Sequence, residues 1–329
     1  MNTKQNTPIK ILTPYRALTQ ENWPGETPVV FDYADDAAEM AAKMPEADVV
    51  ISMFFTKEMG AMAGPLKLVQ CAGIGLDKID FDAVPKDCPV ANVYEHENPI
   101  AEWVLMVMLA MEREMIKADQ AVRSGNWDRI FDTALWSMEL RQRTLAIIGL
   151  GQIGRRTAEI AKVFGMRLIA ATRTIPSSDE ATHLGFDAVY GMDDLDSVLQ
   201  QADFVMLSLP LTESTEGLIG ARQLALMKPN AFLINVARAK VVVEEALFNA
   251  LQRKQIKAAA LDVWYNEPDA PGEATMPASC PFWELDNVIM APHVSGLTTG
   301  MLTRRLHVIA QNIDRMTRGG ALQNVIAST

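Results

Sequence analysis

Gly149-Leu150-Gly151-Gln152-Ile153-Gly154 lies between two apolar runs, residues 145–148 before it and 168–171 after it, with a helix-like segment at 155–164. Apolar runs of this length are typical of buried strands, so the order is strand, glycine turn, helix, strand. A G-x-G-x-x-G pattern alone is frequent by chance, but in this order it indicates a dinucleotide-binding unit. The stretch therefore predicts a parallel α/β sheet that binds a nucleotide at its first turn.

Each glycine of this turn has its own steric reason to lack a side chain. Gly149 permits the tight turn, Gly151 lets the backbone approach a pyrophosphate, and Gly154 lets the helix pack closely on the strand. The phosphates would lie at the helix N-terminus beside Gln152 and Ile153, where free N–H groups and the helix dipole favour negative charge. We expect these five residues to contact the cofactor.

The composition is typical of a soluble globular enzyme and argues against nucleic acid or an anionic membrane as the main partner. Of the 329 residues, 49% are hydrophobic and 22% are charged, and the net charge is −11 without any block of lysine or arginine. Nucleic acid and anionic membranes are therefore poor partners, and the acidity favours solubility. The most apolar run, residues 103–111, is too short to cross a bilayer.

Cysteine and histidine usage argues against disulfide and metal sites. The chain has an odd number of cysteines, without C-x-x-C spacing: Cys71, Cys88 and Cys280. Its four histidines are dispersed along the chain. We therefore expect no bound metal. Residues 1–10 lack the apolar core of a signal peptide, so the expected location is the reducing cytoplasm.

The first 100 residues or so alternate short apolar runs with helical segments, which predicts an α/β layer. Its predicted strands cover residues 9–12, 29–31, 49–53, 66–70 and 90–93, and a helix is predicted over 36–44. A long, Met-rich helix is then predicted over 99–116, with Pro99 in its first turn.

A second α/β layer continues from this helix to about residue 295. After the strand before the glycine turn, its predicted strands cover residues 168–172, 188–189, 204–209, 231–235, 258–263 and 288–291. The tail, residues 298–326, is predicted to be helical.

Polar side chains follow strands of the second layer at three places: Arg238, Glu267 and His293. Ligands of doubly wound sheets bind at the carboxyl ends of the strands, so these side chains are expected to share a site. An arginine there can hold a carboxylate bidentately, and a histidine oriented by a carboxylate can transfer a proton near neutral pH. Taken alone, each is equally a surface charge or a turn residue, and only the shared placement favours a site.

These residues stand in a series of motifs that resembles the D-isomer-specific 2-hydroxyacid dehydrogenase family from about Leu66 to Thr298. Besides the glycine turn, the motifs are Leu66-Lys67-Leu68-Val69-Gln70, Gly73-Ile74-Gly75-Leu76-Asp77-Lys78-Ile79-Asp80, Ile100-Ala101-Glu102, Pro210-Leu211-Thr212 and Met227-Lys228-Pro229-Asn230. The arginine, glutamate and histidine segments then follow in the order of the family.

The resemblance implies two α/β domains, each a doubly wound parallel sheet, with a cleft between them. A flavodoxin-like substrate domain would comprise residues 1–99 and 296–329, and a Rossmann-like dinucleotide-binding domain would comprise residues 100–295. Family members of this kind are homodimers that associate through the nucleotide domain, so a homodimer is also expected.

The resemblance also implies the catalytic roles. Arg238 would bind the carboxylate and carbonyl of a 2-oxo acid, His293 would protonate the carbonyl oxygen, and Glu267 would pair with His293. The N–H groups of Ile74 and Gly75 would hold the carboxylate from the other domain. Because hydride addition at C2 creates an alkoxide, an imidazolium and a guanidinium beside it are what the reaction needs.

The cofactor preference is predicted at the end of the second strand of the nucleotide unit. NAD-specific relatives carry an aspartate there for the ribose hydroxyls. This chain has Thr172, Arg173 and Thr174 instead, and an arginine flanked by hydroxyls suits a 2′-phosphate. NADP is therefore favoured, with NAD as the alternative. The resemblance further assigns Pro210 and Asp262 to the cofactor, Asp262 near the nicotinamide amide.

The expected reaction is reduction of a small 2-oxo acid such as glyoxylate or hydroxypyruvate. Residues 94–98 depart from the Pro-Gly pattern of the family, and within them His96 is either a substrate contact or an ordinary loop residue. Related phosphite dehydrogenases carry a lysine at the position of Ile74, and formate dehydrogenases use a Gln–His pair in place of Glu267. A nucleotide-sensing corepressor of the same fold can retain the triad and is the non-enzyme alternative.

Overall fold

A computed structural model describes residues 7–268 and 272–326 of the chain, so the expectations for residues 1–6 and 327–329 lie outside the described residues. In chain order, the strands are β1 (Ile9–Thr13), β2 (Val29–Tyr33), β3 (Val49–Ser52), β4 (Leu68–Cys71), β5 (Val90–Ala91), β6 (Thr144–Ile148), β7 (Arg167–Ala171), β8 (Ala188–Tyr190), β9 (Phe204–Leu207), β10 (Phe232–Asn235), β11 (Ala258–Leu261), β12 (Val288–Met290) and β13 (Val325–Ile326).

The α-helices are α1 (Ala37–Lys43), α2 (Lys57–Met62), α3 (Glu97–Glu112), α4 (Met115–Arg123), α5 (Gln152–Val163), α6 (Ser178–Leu184), α7 (Leu195–Gln201), α8 (Ala221–Leu226), α9 (Glu244–Gln252) and α10 (Thr299–Thr317). Short 3₁₀ turns lie at Met44–Glu46, Phe81–Ala83, Asp128–Ile130, Thr133–Leu135, Leu140–Gln142, Met192–Asp194, Ala239–Val241 and Phe282–Glu284. In the described part of the chain, no helix has both the length and the apolar character needed to span a membrane.

The described chain divides into two compact units. The first contains the residues up to Glu95 and those from Thr298, and the second runs from His96 to Leu297. The divisions thus lie at 95/96 and 297/298, whereas 99/100 and 295/296 were expected, and both lie where a helix begins. His96 is the N-cap residue of α3, and the Thr298 side chain caps α10 by accepting a hydrogen bond from the Met301 amide at 3.2 Å.

The sheet of the first unit has the strand order β13-β5-β4-β3-β1-β2, and every pairing except that of β13 with β5 is parallel. The order β2-β1-β3-β4-β5 is that of a flavodoxin-like doubly wound sheet. Alternate β1 side chains face opposite layers: Leu12 packs with Met40 and Met59 on one face, and Ile11 packs with Ile313 of α10 on the other.

The prediction of helix throughout the tail is wrong beyond Thr317. α10 ends there, Gly319 takes φ +69°, and β13 pairs antiparallel with β5. Asn312 fixes this return because it is fully buried and accepts a hydrogen bond from the Gln323 amide at 2.8 Å. The Asn312 side-chain nitrogen also donates to Gln70 in β4 at 2.9 Å. The residue that holds Asn312 in place, Gln70, is thus 242 residues away along the chain, so no local sequence pattern indicates this turn.

The sheet of the second unit has the order β12-β11-β10-β9-β6-β7-β8, and in the described part of the chain its neighbouring strands are all parallel. Counted from β6, this is the Rossmann order with one further strand, and its switch point lies between β6 and β9. The predicted fold class, doubly wound parallel sheets, is confirmed. Both faces are covered by apolar clusters, one containing Val205 and Leu233 and the other Met206 and Ile234.

The long helix predicted over 99–116 is instead two helices. α3 begins at Glu97 and ends at Glu112, and Glu114 takes a left-handed backbone (φ +46°) before α4 begins. Glu114 forms ion pairs with Arg129 at 2.9 Å and Lys257 at 3.5 Å. These contacts come from distant parts of the chain, so the break follows from tertiary structure and not from the local apolar pattern.

Candidate active site

The glycine turn connects β6 to α5 with little steric freedom. Gly149 has φ +96°, and a Cβ there would lie 2.7 Å from the Ser208 carbonyl oxygen. A Cβ at Gly154 would lie 2.5 Å from the Gly149 carbonyl oxygen. At Gly151, by contrast, a Cβ would meet no described atom within 4 Å. The outer glycines are therefore required by the protein itself, whereas the middle one faces open space.

α5 begins at the turn, three residues earlier than the sequence indicated. Gly151 is the N-cap residue and has no side chain with which to cap the first turn. The N–H groups that begin the helix, around Gln152 and Ile153, are therefore left for an external acceptor. Phosphate oxygens are suited to this position because the helix dipole adds a partial positive charge.

The loop after β7 carries the predicted cofactor-specificity residues. Thr172 is buried, its amide donates to the Tyr190 carbonyl at 3.0 Å, and its hydroxyl donates to the Thr174 carbonyl at 3.4 Å. Arg173 and Thr174 are exposed, and no ion pair of Arg173 is present among the described residues. Pro210, which follows β9, is exposed as well.

Arg238 follows β10, as the sequence indicated, and lies half-buried in extended backbone. Its Nη1 donates to the Ala237 carbonyl at 2.8 Å. Asn235, the last residue of β10, accepts from the Ala237 amide at 3.0 Å and donates to the Arg238 carbonyl at 3.1 Å. Asn235 therefore shapes the turn that presents Arg238. The only sequence sign of this role is a polar residue at the end of a buried strand.

Glu267 and His293 are brought together from two different strand ends. The His293 Nδ1 lies 3.0 Å and 3.1 Å from the two carboxylate oxygens of Glu267. The Trp264 amide donates to Glu267 at 3.1 Å, which orients the carboxylate from the other side. Because Nδ1 faces the carboxylate, the other ring nitrogen, Nε2, is the one left to exchange a proton with a ligand.

The electrostatics of the pair favour a charged imidazole. The hydrogen bond with Glu267 raises the pKa of His293 above its ordinary value, and this outweighs burial, which lowers it. Burial would raise the pKa of Glu267, but the hydrogen bond and charge of His293 hold that pKa below its ordinary value. The charge of Arg238 lowers the pKa of both groups, so all three predicted catalytic side chains lie within electrostatic reach of one another.

Asp262 has a structural role that the sequence did not indicate. It is 1% exposed, and its two carboxylate oxygens accept hydrogen bonds from the amides of Val294 at 2.8 Å and Ser295 at 3.0 Å. Its carbonyl oxygen also accepts from the His293 amide at 2.8 Å. His293 itself has φ +55°, a strained backbone for a residue other than glycine. Asp262 therefore holds the turn in which His293 is presented.

The other predicted substrate residues lie elsewhere. Ile74 and Gly75 follow β4 in the first unit, and neither amide has a hydrogen-bond acceptor among the described residues. His96 belongs to the second unit, where its side chain is 7% exposed at the start of α3. A Cβ on Gly296 would lie 3.4 Å from the His96 Cβ, so His96 packs beside the loop that follows His293.

Comparison with known proteins agrees with this geometry. Residues 105–295 match the family model described as "D-isomer specific 2-hydroxyacid dehydrogenase, NAD binding domain". The chain is 36% identical over 293 residues to a D-3-phosphoglycerate dehydrogenase of Methanocaldococcus jannaschii. This alignment covers 88% of this chain and 53% of the relative. The chain is also 32% identical over 311 residues to a glyoxylate reductase of Thermococcus gammatolerans, and this alignment covers 91% of this chain and 86% of the relative. The chain thus spans about half the length of the D-3-phosphoglycerate dehydrogenases that it matches.

Solved structures show the same fold. A D-lactate dehydrogenase from Aquifex aeolicus, complexed with NAD and lactic acid, has a TM-score of 0.79 at 26% identity and covers 94% of this chain and 96% of that one. An acyclic imino acid reductase in complex with NADPH and D-Arg has a TM-score of 0.80 at 25% identity, with coverage of 97% and 100%. The second unit therefore contains the NAD-binding domain of this family. Together, the family match over residues 105–295 and the long alignment with a glyoxylate reductase show that the chain belongs to the D-isomer specific 2-hydroxyacid dehydrogenase family.

Proposed function

We propose that the protein reduces a small 2-oxo acid of the glyoxylate or hydroxypyruvate type to the corresponding 2-hydroxy acid, in the D configuration where C2 becomes a stereocentre, with NADPH as the favoured cofactor. The observation that carries the proposal is the Glu267–His293 pair, at 3.0 Å, beside the half-buried Arg238. Glyoxylate reductases are among the relatives that the chain covers nearly in full, which favours this substrate class.

The bound cofactor would supply the hydride that adds to C2 of the substrate. Arg238 would bind the substrate through its planar guanidinium, which matches a carboxylate and an adjacent carbonyl oxygen. His293, held charged by Glu267, would donate its Nε2 proton to the carbonyl oxygen as negative charge develops there. Arg238 would stabilise the same oxygen electrostatically. In the oxidative direction the neutral imidazole would accept the hydroxyl proton.

A substrate panel tests this function directly. Glyoxylate, hydroxypyruvate, pyruvate and phosphohydroxypyruvate would be supplied to the full chain with NADPH and with NADH in parallel, and cofactor oxidation would be followed at 340 nm. We expect turnover of glyoxylate or hydroxypyruvate, and chiral chromatography of the product should identify a chiral hydroxy acid as the D isomer. Nicotinamide binding without turnover of any 2-oxo acid would instead support the corepressor-like alternative.

The cofactor preference is expected to depend on Arg173. Wild-type kcat/KM should be higher for NADPH than for NADH, because the exposed Arg173 can form a charge-assisted hydrogen bond with a 2′-phosphate. Such a bond contributes about 1.5–3 kcal/mol, so Arg173→Ala should lower kcat/KM for NADPH by roughly ten- to a hundredfold and leave that for NADH nearly unchanged.

Thr172→Asp is the complementary change, because it adds an acceptor for the ribose hydroxyls and a charge that repels a 2′-phosphate. It should shift the preference towards NADH. Arg167→Ala is a suitable control, since Arg167 is an exposed arginine at the start of the same strand. A wild-type preference for NADH, or an equal loss with both cofactors in Arg173→Ala, would refute the 2′-phosphate assignment.

The pH dependence of reduction should report the Glu267–His293 pair. Reduction needs the imidazolium, so kcat/KM should fall as pH rises through the His293 pKa. Glu267 raises that pKa through its hydrogen bond, so Glu267→Gln should move this alkaline limb to lower pH. Full pH profiles of both proteins, with circular dichroism to verify folding, provide the measurement. An alkaline limb at the same pH in both would show that Glu267 does not set the His293 pKa.

We also propose that the protein is a homodimer that associates through the second unit. Between α4 and β6 this unit exposes large apolar side chains, among them Trp127 (58% exposed), Phe131 (79%) and Trp136 (66%). A patch of this kind marks a protein interface, and a second copy of the chain is the expected occupant. Sedimentation velocity should give a dimer, and Phe131→Asp should shift it towards monomer, whereas Val163→Asp, at an exposed position at the end of α5 and outside the segment between α4 and β6, should not.

A further inference from the structure

The loop that follows β4, residues 72–75, has each of its carbonyl groups bound by a donor within the first unit. Ala72 accepts from Arg305 Nη1 at 3.3 Å, and Gly73 accepts from the Val93 amide at 3.2 Å. Ile74 accepts from the Asn92 side chain at 3.3 Å. Gly75 accepts from the Cys71 thiol at 3.3 Å.

The orientation of these peptide groups follows from the bound carbonyls. A trans peptide group directs its N–H opposite to its C=O, so fixing the carbonyls of residues 73 and 74 also fixes the amides of Ile74 and Gly75. Neither amide has an acceptor among the described residues. Consecutive backbone amides without a partner can serve as a site for an anion. This loop is therefore arranged before any ligand arrives.

Arg305 differs from the other donors to this loop because it carries a charge and reaches two chain segments. It lies on α10, its Nε donates to the Tyr94 carbonyl at 2.9 Å, and its Nη1 donates to the Ala72 carbonyl. The guanidinium thus joins the first residue of the loop to the segment after β5. A Cβ on Gly73 would lie 3.7 Å from Nη1, so the positive charge is adjacent to the loop itself.

We propose that Arg305 is a positioning residue for substrate binding: it holds the 72–75 loop so that the amides of Ile74 and Gly75 receive a substrate carboxylate, and it adds positive charge beside them. This inference rests on the proposed function. It predicts a specific kinetic effect, because a group that acts on carboxylate binding alone changes KM and leaves kcat nearly unaltered.

The test compares Arg305→Met, which retains the approximate length of the side chain, with Arg305→Lys, which retains the charge but replaces the planar fork of donors with one compact ammonium group. With glyoxylate or hydroxypyruvate, Arg305→Met should raise KM by about tenfold or more, in the range of one lost charge-assisted hydrogen bond. kcat and the KM for NADPH should stay within about twofold, which is too small to represent such a bond. Arg305→Lys should restore part of the loss.

Arg318→Met is the matched control, since Arg318 is a cation at the end of the same helix in an exposed ion pair with Glu26. It should leave every kinetic constant unchanged. Inhibition by oxalate, an unreactive dicarboxylate, gives a second readout, and its Ki should rise in parallel with KM in Arg305→Met. If Arg305→Met does not fold, the same comparison is made between Arg305→Lys and Arg318→Lys, and a rise in KM of several-fold in the former is expected.

An unchanged KM and oxalate Ki in the Arg305 variants would overturn the inference, as would a loss of kcat alone. Both results presuppose an active wild-type enzyme, so they are distinct from failure of the proposed function, in which the wild type reduces no 2-oxo acid.

Discussion

Replacement of His293 by asparagine is expected to lower kcat for 2-oxo acid reduction by about 10²–10⁴-fold, the usual contribution of a positioned general acid. Asparagine is chosen because it tolerates the left-handed backbone that His293 adopts at φ +55°, so the turn should survive. Single-turnover measurements with saturating cofactor and substrate would isolate the chemical step. Cofactor affinity, measured by fluorescence titration, should change little.

His183→Asn is the matched control, because His183 is an exposed histidine near the C-terminal end of α6 in the same unit. It should retain wild-type kcat. A His293→Asn variant that keeps kcat within threefold of wild type, with the substrate panel active, would mean that the proton comes from another group. Combined with Glu267→Gln, the His293→Asn change should cost little more than it does alone, since the carboxylate acts through the imidazole.

The largest expected effect on stability concerns a buried ion pair at the other end of the nucleotide sheet. Arg143, just before β6, donates to both carboxylate oxygens of Glu112 at 2.8 Å and 3.0 Å, and their side chains are 9% and 2% exposed. Arg143→Met leaves the Glu112 carboxylate buried without its cation. We expect a loss of about 3–5 kcal/mol in the free energy of unfolding, because an uncompensated buried charge costs that much.

Urea unfolding followed by tryptophan fluorescence provides the measurement. The double variant Glu112→Leu with Arg143→Met should recover most of the loss, since well-packed apolar residues can replace a buried pair at little cost. Arg123→Met, which breaks the exposed pair with Asp119, should cost only about 0.3–0.5 kcal/mol. A loss below about 1 kcal/mol in Arg143→Met, which is the scale of an exposed pair, would contradict the importance of this buried ion pair.

The Glu112–Arg143 pair also explains why the path of the chain between α4 and β6 could not be predicted from the sequence. Glu112 ends α3 and also accepts from the Met138 amide at 3.1 Å, so one carboxylate fixes both the helix end and the return of the chain to the sheet. In the sequence Glu112 is one of several charges that follow an apolar run, and nothing local distinguishes it from an exposed residue. Its burial depends on Arg143, which lies 31 residues further along the chain.

The sequence by itself determined those parts of the molecule that depend on local steric constraints and on the spacing of apolar residues along the chain. Short apolar runs between helical segments specify a parallel α/β class, and the glycines at 149 and 154 are required by the backbone atoms within 3 Å of their missing Cβ atoms. Placement after strands was enough to select Arg238, Glu267 and His293, because the carboxyl ends of parallel strands meet at one edge of a sheet.

Only the tertiary structure decided how these groups are held. The strained turn of His293 depends on hydrogen bonds to Asp262, which lies more than 30 residues earlier in the chain. The contact of Arg305 with Ala72 spans 233 residues. The end of the tail as strand β13 likewise depends on the contact of Asn312 with Gln70. Such contacts leave no repeating pattern and no motif in the sequence. Each forms between side chains and backbone groups that only the completed fold brings within hydrogen-bonding distance.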